Sequence, residues 1–135
     1  MNAVEKEFDG KLENIPHILD FIGDFTSQYS ALGSLANKFL IVGDELFSNI
    51  IKYGYENKGG PILVKLAFDE GINEFTLTII DQAKEFNQLS VNVDNSKDKV
   101  LRIGGLGISI VKNIMSECRY DYIDGQNILT LKKKV

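Results

Sequence analysis

Apolar side chains recur along this chain with two periods, and the changes from one to the other mark out its elements. Residues 3 to 8 alternate weakly, as an edge strand would. Ile15, Ile18, Leu19, Ile22 and Phe25 then fall at helical spacing, with Asn14 placed to cap and Pro16 in the first turn. A second helix is predicted from about Ser34 to Glu56, stopped by Asn57, Gly59, Gly60 and Pro61. Two alternating stretches, Ile62 to Phe68 and Phe75 to Ile80, flank Asp69-Glu70-Gly71-Ile72-Asn73 and read as a hairpin. From Asn87 to about Ile103 the chain is polar and aperiodic, the pattern of a lid, a binding loop or a disordered segment. A third helix carries Ile108, Val111, Ile114 and Met115 on one side. Cys118 to Ile123 and Ile128 to Leu131 flank Asp124-Gly125 in a second hairpin.

Hairpins generate antiparallel pairing, so the order strand, helix, helix, hairpin, helix, hairpin implies an α+β fold. Its architecture is a two-layer sandwich with helices on one face of a mainly antiparallel sheet, in a single domain over residues 1–135. Leu63, Ala67, Ile80, Leu129 and Leu131 lie out of phase with the other apolar residues of their strands. Both sheet faces are therefore expected to carry hydrophobic groups, a sign of a homodimer or partner interface.

Composition narrows the classes that remain. With 135 residues, 44% hydrophobic and 25% charged, the chain has the balance of one globular domain. No apolar run approaches the roughly 18 to 20 residues of a membrane helix, and MNAVEKEFDG lacks a secretory signal. A cytoplasmic protein without membrane association is expected. Cys118 cannot form an intrachain disulfide, and with His17 alone it cannot furnish a zinc cage. The net charge of -4 argues against a nucleic-acid surface, and Lys132-Lys133-Lys134 reads as a solvated end.

The second helix is apolar nearly all round, which implies burial. Glu45, Asn49, Lys52 and Glu56 interrupt it in one stripe, so a carboxylate, an amide and an ammonium project into the same space. That stripe is either a solvated edge with a helical ion pair or a metal and phosphate site. In the second reading Asn49 gives Mg²⁺ an oxygen, Lys52 meets phosphate charge and Glu45 accepts a proton. Asp81 ends a strand where Gln82-Ala83-Lys84-Glu85-Phe86 leaves the sheet. It is either a turn former or an acceptor for an amino group such as that of adenine. Gly104-Gly105-Leu106-Gly107 opens a helix, where backbone amides and the helix dipole favour an anion. A dinucleotide fingerprint would need a glycine at Ile110 and a parallel unit around it, and neither a P-loop nor the eukaryotic-type kinase signatures are present.

In chain order, Glu45-Leu-Phe-Ser-Asn49-Ile-Ile-Lys52-Tyr53-Gly54-Tyr55, Asp81-Gln-Ala-Lys-Glu-Phe86 and Gly104-Gly-Leu-Gly107-Ile-Ser-Ile-Val-Lys112 resemble the ATP-site boxes of the gyrase and histidine-kinase-like ATPase superfamily, whose fold is the Bergerat type. With the ending Gly125-Gln-Asn-Ile-Leu-Thr130-Leu, the chain looks most like bacterial anti-sigma factor serine/threonine kinases. That resemblance implies a general base at Glu45, a Mg²⁺ ligand at Asn49, an adenine partner at Asp81, a phosphate cradle at the glycines and a neighbour of adenine at Thr130. It implies transfer of the ATP γ-phosphoryl group to an anti-sigma factor antagonist, the same domain alternately sequestering a sigma factor. Ala83 stands where the family usually has glycine, and a methyl there would weaken ATP binding if the backbone needs positive φ or close approach to adenine. The alternative is a nucleotide-gated protein-binding module without kinase activity.

Overall fold

Strict alternation in the central strands sorts their side chains onto two faces, and that sorting decides where the helices lie. The computed structural model describes residues 2–90 and 105–135. Among these, β1 (Asn2–Asp9), β2 (Pro61–Asp69), β3 (Glu74–Asp81), β4 (Glu117–Ile123) and β5 (Gln126–Lys134) form one sheet in the order β1-β2-β3-β5-β4. Every neighbouring pair is antiparallel. Ile62, Val64, Leu66 and Phe68 of β2 and Phe75, Leu77 and Ile79 of β3 are buried against α1 (Ile15–Thr26), α2 (Ala36–Asn49) and α3 (Gly105–Ile114). The α+β two-layer sandwich is thus the fold observed, with a fully antiparallel sheet among the described residues.

Ile18, Ile22 and Phe25 of α1 and Phe39, Val42, Leu46 and Phe47 of α2 meet the sheet. Phe39 stacks on Phe75 with ring centroids 4.5 Å apart. Burial at about 1.5–3 kcal/mol per large apolar side chain makes this layer the main source of stability. Both hairpins turn through left-handed residues, Asn73 (φ 51°) in the first and Asp124 (φ 53°) with Gly125 (φ 77°) in the second. Two consecutive left-handed residues match the twist of a tight hairpin.

Local readings change in three places. Asn14 holds the N-cap position of α1 without a side-chain cap bond, in a helical conformation after a 3-10 turn at Leu12–Asn14, and its side-chain amide donates to the Asp9 carbonyl at 2.9 Å. The second helix is not uniform: a 3-10 segment (Ser30–Leu35) leads into α2, which passes into a π-helical turn at Ile50–Gly54. Leu129 and Leu131 are not out of phase, being buried at 3% and 0% exposure on the helix-facing side. It is Ile128 that shares the open face with Leu63 and Ile80, as the register Leu63–Ile80–Ile128 requires. Of the polar stretch read as a lid, Gln88–Ser90 forms a 3-10 turn with Gln88 and Leu89 buried, and residues 91–103 lie outside the described residues.

Candidate functional site

Residues four apart on an α-helix share a face, and α2 uses this to hold Glu45 beside Asn49. The Asn49 Nδ2 group donates to Glu45 Oε1 at 3.1 Å and to Gln88 Oε1 at 3.0 Å. Asn49 is buried and Glu45 half-buried. Gln88 is 1% exposed and donates through Nε2 to the Leu46 carbonyl at 3.3 Å. Opposite them stands Gly107 in the first turns of α3, where a Cβ would overlap the Glu45 carboxylate. Only glycine lets the helix start approach this carboxylate so closely.

Past Asn49 the regular α-helix on which the stripe was read gives way to a π-helical turn at Ile50–Gly54. In the π-helical turn the Tyr55 N–H bonds the Ile50 carbonyl, five residues back, at 2.8 Å, which shifts the phase of everything after it. Lys52 is exposed in that turn. Glu56 has left the helix with φ 54° and instead meets Lys84 at 3.5 Å.

Asp81 is 4% exposed at the end of β3. Its Oδ1 accepts from the Ala83 N–H at 2.9 Å and from Asn127 Nδ2 at 2.8 Å. Among the described residues Oδ2 receives no donor. Burial raises the Asp81 carboxyl above its ordinary value, and the bonds from Asn127 and Ala83 pull the other way. Asn127 also donates to the Ala83 and Lys84 carbonyls, while its Oδ1 accepts from the Phe86 N–H at 3.0 Å and the Tyr120 hydroxyl at 2.5 Å. One buried amide therefore shapes the whole turn from Asp81 to Phe86.

Ala83 fits this turn without strain. It is absent from the positive-φ residues, and it is buried at 7% exposure beside Gly54, where a Cβ would come within 3.1 Å of the Ala83 methyl. Tyr55 ties the same corner to α2, its hydroxyl accepting from the Gln82 N–H at 2.8 Å and donating to the Pro61 carbonyl at 2.6 Å. Burial raises this phenol, so it keeps the proton it donates. The segment after β3 thus runs along α2 and the π-helical turn that follows it, from Gly54 and Tyr55 at one end to Leu46 and Asn49 at the other.

Thr130 does not join the site. The register pairs Asp81 with Asn127 and Thr78 with Thr130, and side chains alternate along β5, so Thr130 faces the open side. Gly104 lies outside the described residues, whereas Gly105, Leu106 and Gly107 open α3. Sequence reasoning missed Asn127, which reads as a residue after a turn, and Gln88, which reads as the start of a polar loop. Burial of a polar side chain is the signal for both, and it is visible only in the fold.

The strip offers the second carboxylate oxygen of Asp81 for an amino group, an amide oxygen on Asn49 and a carboxylate at Glu45 beside a helix start. Residues 8–133 match the family model described as the histidine kinase-like ATPase domain. The chain is 21% identical over 136 residues to the anti-sigma F factor of Clostridium acetobutylicum, covering 98% of this chain and 93% of that protein. It is similar in fold to a chain of the SiaB-SiaC complex from Pseudomonas aeruginosa, with a TM-score of 0.58, 17% identity, and coverage of 95% and 88% of the two chains.

Proposed function

The chain belongs to the histidine kinase-like ATPase domain family, and from that membership we propose that it binds Mg-ATP and phosphorylates a serine or threonine of an anti-sigma factor antagonist, regulating transcription by exchanging partners. The observation that carries this reading is the pairing of Glu45 with Asn49 on α2, faced by Gly107, on the same side of the sheet as buried Asp81. A relative that bears the name of an anti-sigma factor supports a role exerted through protein partners. The chain would act in the cytoplasm, as a homodimer, toward an antagonist and a sigma factor.

The donors present fit the ligand. Oδ2 of Asp81 suits the exocyclic amine of adenine, and the Asn49 oxygen suits Mg²⁺, a hard cation that keeps few protein ligands. Lys52, Gly104 and the start of α3 at Gly105, Leu106 and Gly107 would meet phosphate charge. Phe86 closes the turn that carries Asp81. Mg²⁺, when bound, supplies charge neutralisation at the phosphates. Glu45 takes the hydroxyl proton of the acceptor residue as its oxygen bonds the γ-phosphorus and the bond to the ADP oxygen breaks. Most of the rate would come from positioning and electrostatics.

Calorimetric titration with ATP, with and without Mg²⁺, tests the site. Wild type should bind more tightly with Mg²⁺, and Asp81→Asn, which offers an NH₂ to the adenine amine, should lose at least about tenfold, the worth of one buried bond. Glu45→Gln should still bind ATP and no longer phosphorylate the antagonist. ATP binding without transfer to a cognate antagonist by wild type would leave a nucleotide-gated binding module. Ala83, the residue that motivates that alternative, sits unstrained beside Gly54.

A further inference from the structure

An asparagine can serve a cation only through its oxygen, so whatever decides which amide atom faces the ligand decides whether the site works. At Asn49 the choice follows from two groups that can only accept. The Leu46 carbonyl faces Gln88, which must therefore turn Nε2 toward it and leave Oε1 for its other neighbour. That neighbour is Asn49, which must answer with Nδ2. Glu45, as a carboxylate, demands the same atom of Asn49. Both amide protons are thereby spoken for, and Oδ1 is turned away from both partners.

We infer that Gln88 is a positioning residue whose amide fixes the orientation of Asn49, so that the Asn49 oxygen faces the Mg²⁺ of bound ATP. The inference rests on the Mg-ATP reading above. Glu45 alone is an unreliable anchor, because the proposed reaction engages its carboxylate with the acceptor hydroxyl. Gln88 carries no second role of that kind, being 1% exposed and bonded at both ends of its amide. Its grip falls where α2 passes into the π-helical turn, and the Ile50 N–H there divides between the Leu46 and Phe47 carbonyls. A carbonyl with a shared partner has acceptor capacity left for a side-chain amide.

Gln88→Met keeps the length and volume and removes both hydrogen-bonding functions. ATP titrations with Mg²⁺ and with EDTA separate the two halves of the site. The variant should keep wild-type affinity in EDTA, showing an intact fold and adenine pocket, and lose about tenfold of the gain that Mg²⁺ gives, equivalent to ~1.4 kcal/mol. An unreduced Mg²⁺ gain overturns the inference. Should the variant not fold, the wild type decides by NMR without nucleotide: the Asn49 side-chain ¹⁵N–¹H pair should be protected from exchange, and a rapidly exchanging pair overturns the inference. Wild-type ATP affinity that is equal with and without Mg²⁺ refutes the metal reading itself and removes the proposed role of Gln88, even where the Asn49 pair stays protected.

Discussion

At Asp81 the role proposed for the site comes at the expense of the fold. Desolvation raises its carboxyl above the ordinary 3.8, although Asn127 and Ala83 donate to it. A raised carboxyl means that the folded state holds the proton more tightly than the unfolded chain does. The stabilisation is then fully present below the unfolded value and is lost as pH rises through the folded one. At neutral pH the charged form is a net burden on the native state. Asp81→Asn keeps an oxygen for the Ala83 and Asn127 donors but carries no charge, so its melting midpoint should gain on wild type as pH climbs from about 3 to 7. Thermal melts across that range check this, and a difference that stays flat with pH would mean that burial is not what perturbs the group. The position of Asp81 was legible as an acid at the end of an alternating strand. Its partner Asn127 was not, because only the pairing of β3 with β5 brings residues 81 and 127 together.

At the scale of elements, α2 separates what periodicity can and cannot give. The i, i+4 pair Glu45 and Asn49 holds because the α-helix is regular through Asn49. Lys52 falls within the widened backbone at Ile50–Gly54 and Glu56 lies beyond it, a change that no hydrophobic pattern announces. The start of α3 completes the element-level arrangement through Gly107. Gly107→Ala should favour the helix by about 1 kcal/mol in intrinsic propensity, yet its methyl would occupy the place of the Glu45 carboxylate. That carboxylate is the far end of a flexible side chain, so the expected response is displacement of Glu45 rather than unfolding. The melting midpoint should stay within a few degrees of wild type while the proposed phosphoryl transfer falls about a hundredfold, the cost of a misplaced group. A Gly107→Ala variant with wild-type transfer would show that the approach of α3 to Glu45 has no part in the chemistry.

Over the whole molecule, element order and the antiparallel sheet were legible because turns and alternation are local signals. Strand order was not, since nothing in the sequence of β4 says that β5 will insert between it and β3. That insertion sets the phase of β5, burying Leu129 and Leu131 and leaving Ile128 on the open face in register with Ile80 and Leu63. The row crosses the three central strands with acids at its ends, Glu7 of β1 beside Leu63 and Asp121 of β4 beside Ile128. Thr78 and Thr130, paired across β3 and β5, lie next to the row on the same face, so the apolar strip is continuous across the strands and bounded on that side by hydroxyls. A strip of this kind is better covered than wet, and a second copy of the chain would cover it in the proposed homodimer. Light scattering at micromolar concentration should then give twice the chain mass of 15.1 kDa, and Ile80→Lys, which puts a charge in the middle of the row, should return the monomer without altering ATP affinity. A monomeric wild type at that concentration would end the homodimer proposal and leave the strip for a partner protein, because the helix face is already filled by the core.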